Sequence, residues 1–119
     1  MPDNEDIKSD GVPAWLEGDN RLLKGMREIF VRNTPQQMER LREAFNSGDT
    51  STIELLSHTI KGSAAMIGAI TLRDEAAKVE ASALNGDIDG ARSYLDRMER
   101  EFCKVISGLK TQASKTGLP

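Results

Sequence analysis

Apolar positions recur along this chain at intervals of three and four, the period of an amphipathic helix. They are broken by short polar stretches rich in Gly, Asn, Asp and Pro. Val12 to Leu16, VPAWL, is a brief apolar cluster after a polar leader, read as a lead-in turn of helix that caps the core with Trp15. Asp19 or Asn20 can cap a helix running to about Asn33, with Leu22, Leu23, Met26, Ile29 and Phe30 on its apolar side. Thr34-Pro35 reads as a restart, threonine at the cap and proline at the first helical position. Met38, Leu41, Ala44 and Phe45 then face inward, and Asn46 to Asp49 ends that helix and starts the next. A stripe of Ile53, Leu56, Ile60, Ala64 and Ile67 predicts a helix from about Thr50 to Ile67, stopped by Gly68. Leu72, Ala76, Val79 and Ala83 mark a helix from about Leu72 to Leu84, stopped by Asn85 to Asp87. The last helix has the cleanest repeat, Ile88, Ala91, Leu95, Met98, Phe102, Val105 and Leu109.

No segment alternates as a strand does. Short connections between amphipathic helices imply antiparallel neighbours, hence an all-α, up-down antiparallel four-helix bundle with a short N-terminal helix. The expected division is a disordered leader or linker over 1–11, the bundle over 12–110 and a flexible tail over 111–119. Composition narrows this further. The chain has 119 residues, about one domain, and aromatics are only 4%, so the core must be aliphatic and methionine-rich. Charged residues are well mixed at a net charge of −3, with no Lys/Arg run to suit nucleic acid. No apolar run approaches a membrane span, and the acidic first residues lack the apolar core of a signal peptide. One Cys and one His leave no plausible zinc cluster. Together these suit a cytoplasmic monomer that needs no cofactor of its own.

The candidate chemistry lies in Ser57 to Gly62, SHTIKG, which holds the single histidine. At roughly 100° per residue, His58 points about 165° away from the apolar stripe of its helix, toward water. Glu54, Lys61, Gly62 and Ala65 share that outer face, and Leu55 and Met66 edge it. Glycine inside a helix costs roughly 0.5–1 kcal/mol relative to alanine. Gly62 is off the buried stripe, so helix packing does not excuse it; the missing side chain leaves one flank of the imidazole open. A free imidazole is a nucleophile and mostly neutral at pH 7, and a lysine nearby can neutralise phosphoryl oxygens. Spacing alone leaves two readings open, a phosphoryl acceptor and an ordinary solvated surface histidine.

Ser57 to Ala69, SHTIKGSAAMIGA, resembles the signature of histidine-containing phosphotransfer (HPt) domains: His-x-x-Lys-Gly, a small residue, then a Gly-Ala helix end. The resemblance extends over about Val12 to Leu109, through Gly18-Asp19, Phe30, Gly48-Asp49, Leu72, Glu80 and Asn85 to Asp87. Ile60 stands where leucine is commoner. The resemblance implies a phosphorelay phosphocarrier of two-component signal transduction, without kinase or ATP-binding domain. His58 would be phosphorylated by a receiver-domain aspartate and pass the group to another receiver. Lys61 would support the phosphoryl group, and Gly62 would give the receiver access. Glu54, Leu55, Ala65 and Met66 are candidate docking residues. The partners would be response-regulator receivers and a hybrid histidine kinase, and Mg²⁺ would be the receiver's. The competing reading from another class is a helical adaptor that binds a receiver or kinase without being phosphorylated. Gly25, inside the first long helix, is read as a close-packing glycine and Cys103 as a boundary cysteine.

Overall fold

The computed structural model describes residues 20–115 as backbone and 21–111 with their side chains. The leader, the Val12–Leu16 turn with Trp15 and the cap at Asp19 lie outside the described residues. Among the described residues four helices follow one another: α1, Asn20–Ser47; α2, Thr50–Met66; α3, Ile70–Leu84; and α4, Ile88–Lys115. The described residues contain no strand.

The three connections use one device. Gly48, Gly68 and Gly86 adopt φ of 70°, 78° and 74°, where a side chain would clash. In each, the next residue's N–H reaches back to the carbonyl five residues earlier: Asp49 to Ala44 and Asp87 to Ser82 at 2.9 Å, Ala69 to Ala64 at 2.8 Å. This Schellman closure satisfies the orphan carbonyls of the ending helix. The following helix then starts at once. The Asp49 carboxylate accepts from the Thr52 N–H and hydroxyl, at 3.2 and 2.6 Å, and Asp87 accepts from the Gly90 N–H at 2.8 Å. Turns this short force each helix to run back beside the last.

The core takes most of the predicted positions: Ile53, Leu56, Ile60 and Ala64 from α2, Leu72, Ala76, Val79 and Ala83 from α3, Ala91, Leu95, Met98 and Phe102 from α4, and Phe30, Met38, Leu41, Ala44 and Phe45 from α1. Leu22 and Ile29, expected on the apolar side of the first helix, are instead exposed. Each large aliphatic side chain so buried contributes roughly 1.5–3 kcal/mol. Ser57 is also fully buried; its hydroxyl donates to the Ile53 carbonyl at 2.6 Å, which removes the penalty of a polar group in the core.

Three local expectations are corrected. The helix does not restart at Thr34-Pro35: α1 passes through Pro35 unbroken. Phe30, Thr34, Met38, Leu41 and Phe45 are all buried and form one stripe at helical spacing across the proline. Their shared burial outweighs the backbone hydrogen bond that proline cannot make. Gly25 is not a packing glycine, because a Cβ built there meets nothing within 4 Å. Cys103 is exposed rather than at the core boundary. At the other end, α4 continues to Lys115, past Leu109 where its apolar repeat stops.

Candidate functional site

Helix α2 turns its Ile53–Leu56–Ile60–Ala64 edge into the core, so His58 emerges on the outer side, next to α3. Its side chain is 64% exposed. Glu80 of α3 comes to meet it. His58 Nδ1 lies 2.9 Å from Glu80 Oε2, and Lys61 Nζ donates to Glu80 Oε1 at 2.7 Å. One carboxylate therefore holds both groups, one on each oxygen. The Glu80 side chain is only 15% exposed. Burial pushes its carboxyl upward, but the hydrogen bonds and charges of Lys61 and His58 outweigh that and hold it below the usual glutamate value. Glu80 is an anion at neutral pH and accepts from both neighbours.

The remaining expected residues fall as follows. Gly62 is exposed, and a Cβ built there meets nothing within 4 Å, so no packing contact in the fold requires glycine. Leu55 is 62% exposed and Met66 38%. Met66 also lines a groove of about 220 Å³ between α1 and α2 with Met26, Ile29 and Phe30. Glu54 and Ala65 are half-buried. Lys61 is not free beside the imidazole: its ammonium is committed to Glu80. Among the described residues no cluster of three or more His, Cys, Asp or Glu side chains could hold a metal ion.

Two residues were not assigned to the site from sequence. Glu80 stands 22 residues from His58, and only the α2–α3 turn brings them together. Leu84, 65% exposed, lies one turn beyond Glu80 on α3, an apolar side chain left in water beside the site. A signal for both was present. Glu80 and Leu84 are spaced i and i+4, and both fall off the Leu72–Ala76–Val79–Ala83 stripe.

The arrangement can do one kind of chemistry well. An exposed, oriented imidazole with an open flank can receive a group from a bulky donor. Matches with known proteins agree. The chain is 26% identical over 104 residues to the phosphorelay intermediate protein rdeA of Dictyostelium discoideum, which covers 85% of this chain and 41% of that protein. The chain thus spans less than half the length of this relative. The fold superimposes on histidine-containing phosphotransfer protein B of Pseudomonas aeruginosa with a TM-score of 0.79, at 22% identity, over 91% of this chain and 98% of the other. The family model described as Hpt domain matches residues 25–111, which include every residue of the site, and this chain belongs to the Hpt domain family.

Proposed function

We propose that this chain is a phosphorelay phosphocarrier in which His58 takes a phosphoryl group from the aspartate of a receiver domain and hands it to another receiver. One observation carries the reading: the sole imidazole stands out from the bundle, fixed from behind by Glu80, with the bare backbone of Gly62 one turn away. A receiver can bring its phosphoaspartate flat against this face. Lys61 is close enough to help neutralise the incoming phosphoryl oxygens once it is drawn from Glu80. Leu55, Met66 and Leu84 offer apolar contact around the imidazole, and Glu54 and Ala65 lie on the same face. Mg²⁺ belongs to the receiver. The chain acts as a monomer, as a relay between receivers or between a hybrid histidine kinase and a receiver, in the cytoplasm. No helix among the described residues is long and apolar enough to cross a membrane.

Incubation with a phosphorylated receiver tests this. The parent should become labelled on nitrogen, with an acid-labile, alkali-stable bond. His58→Gln should abolish labelling and keep the fold, because an exposed side chain is lost and the surviving Glu80–Lys61 pair is unchanged; the stability cost should stay within about 1 kcal/mol. Labelling of the variant would assign the phosphoryl group elsewhere. Receiver binding without labelling of the parent would make the chain an adaptor.

A further inference from the structure

Helix α1 outruns its partner. It has 28 residues against the 17 of α2, so roughly 16 Å of its N-terminal end has no α2 beside it. That end carries needs the described residues do not meet. Leu23 is 8% exposed, yet among the described residues the apolar side chain packed against it is the half-buried Met26, and the pair stands apart from the main core. The Nε–H of Arg27, one turn on, is buried with no hydrogen-bond acceptor among the described residues, a costly state for a donor. Beside them opens the groove between α1 and α2, with Met26, Ile29 and Phe30 on one wall and Met66 and Ile67 on the other. Ile29 is 53% exposed. Leu23, Met26, Arg27 and Phe30 are spaced i, i+3, i+4 and i+7, so they form one face. A segment laid along that face would give Leu23 and Ile29 apolar cover and Arg27 an acceptor.

We propose that the occupant is the chain's own Val12–Leu16 segment, VPAWL, which folds back along α1 and lays Trp15 in the α1–α2 groove, covering this face from within and keeping the chain monomeric. The segment is the apolar run of a polar leader, bounded by Glu17-Gly18-Asp19. Gly18 lets the chain reverse between the segment and α1. Its backbone carbonyls bring acceptors to Arg27, and Pro13 brings no N–H that would itself need a partner. Packing a tryptophan ring removes about 150–250 Å² from water, enough to hold such a segment in place. Reach decides where the ring can sit. Trp15 precedes Asn20 by five residues, an extended span of at most about 17 Å. Met26 and Phe30 stand six and ten positions into α1, about 9 and 15 Å along its axis. The groove is therefore within reach. His58 is not, because it lies eight residues further along α2 than Met66, about another 12 Å. The segment covers the groove and leaves the imidazole open, so this inference does not depend on the phosphocarrier reading.

A second copy of the chain or a receiver is the other candidate for the same groove. Tethering favours the segment. A short link gives it an effective concentration on the order of millimolar at the groove, which a free partner at micromolar concentration does not match. The burial of Leu23 points the same way, since that side chain is covered in the single chain with no partner present.

Trp15 is the only tryptophan, so its fluorescence in the intact chain reports on this segment alone. In dilute parent protein its emission should be shifted to the blue of the urea-unfolded chain and shielded from iodide, at a molecular mass of one chain. Ile29→Asp places a charge on the groove wall at an exposed position, so helix content should be kept while the blue shift and the shielding are lost. Met66→Asp, on the opposite wall, should act alike, and Ile29→Leu, which keeps the wall apolar, should preserve both signals. Emission of the dilute parent like that of the unfolded chain overturns the proposal. So does shielding that survives both aspartate variants, which would seat Trp15 elsewhere. Shielding that appears only as concentration rises, together with a doubled mass in light scattering, makes a second copy the occupant. Shielding that appears only when a receiver is added makes the receiver the occupant. Either result overturns the intramolecular assignment. Labelling of His58 is a separate readout, and its failure would sink the phosphocarrier reading while leaving the fluorescence result to stand or fall by itself.

Discussion

At the scale of single residues, Gly62 poses the sharpest question, because a glycine in mid-helix needs a reason. The fold offers none: the space over its Cα is open, and the residue is exposed. Gly90 shows the contrast, since a Cβ there would collide with the capping carboxylate of Asp87. Substitution at Gly62 should therefore separate stability from transfer. Gly62→Ala should be neutral or stabilising by up to about 1 kcal/mol. Gly62→Gln should keep the bundle intact, fill the space one turn from the imidazole and slow transfer from a receiver. A small phosphodonor needs no flat docking surface and should be much less affected. Melting temperature set against both transfer rates decides the matter. A destabilised Gly62→Gln bundle would mean that the glycine serves packing, and an unchanged receiver rate would remove the access argument. That Gly62 lies off the core stripe was legible in the sequence, because helical phase is a local property. Glu80 was legible only as a residue off the α3 stripe; that it completes the site was not. Its role depends on which residue of α3 stands opposite His58, and that depends on where the Ile67–Ala69 turn sets the two helices.

The helices themselves show where local signals mislead. Thr34-Pro35 has the chemistry of a helix start, and the proline cannot donate to the ladder. Yet Phe30, Thr34, Met38 and Leu41 keep one phase across it, and all are buried. A true break would have rotated the second stripe relative to the first. Phase continuity was the better signal, and tertiary packing overrode propensity. The glycine turns were legible because Gly48, Gly68 and Gly86 each combine an apolar repeat that stops with a residue free to take positive φ. If burial alone carries α1 through its proline, the helix is paying a local cost that substitution can remove. Pro35 is exposed, and Pro35→Ala restores a donor to the Val31 carbonyl without touching the core. It should stabilise the protein by about 1–3 kcal/mol. Gly25→Ala, which meets open space, should add up to about 1 kcal/mol. Denaturant unfolding of each variant measures this. A loss of stability in Pro35→Ala would show that the proline shapes α1 in a way the core requires.

Across the whole molecule, the site stands on the short α2–α3 hairpin, and the two longer helices brace it. Helices α1 and α4 are joined by Arg42 Nε donating to Glu99 at 2.6 Å, by Arg92 donating to the Phe45 carbonyl at 3.3 Å, and by the Phe30 and Phe102 rings, 6.3 Å apart. Helix α2, besides its core stripe, is held by two carboxylates that titrate. Asp49 caps its first turn, and the Thr52 hydroxyl and N–H hold that carboxyl below the usual value. Glu80 ties its outer face to α3. Both are lowered in the folded chain, so folding favours their ionised forms. Their stabilisation is complete above the ordinary values of 4.5 for glutamate and 3.8 for aspartate, and it drains as pH falls through the lower folded values. The melting temperature should fall as the solution is acidified from pH 5 toward pH 2, with the ring and lysine at the site freed before the core opens. Glu80→Gln and Asp49→Asn keep hydrogen-bond acceptors that do not ionise, and asparagine caps a helix as well as aspartate does. The double variant should therefore melt with a shallower dependence on acid than the parent, while differing little from it in fold. An undiminished slope would place the acid sensitivity in other carboxylates and show that neither the Asp49 cap nor the Glu80 bridge couples protonation to the stability of α2.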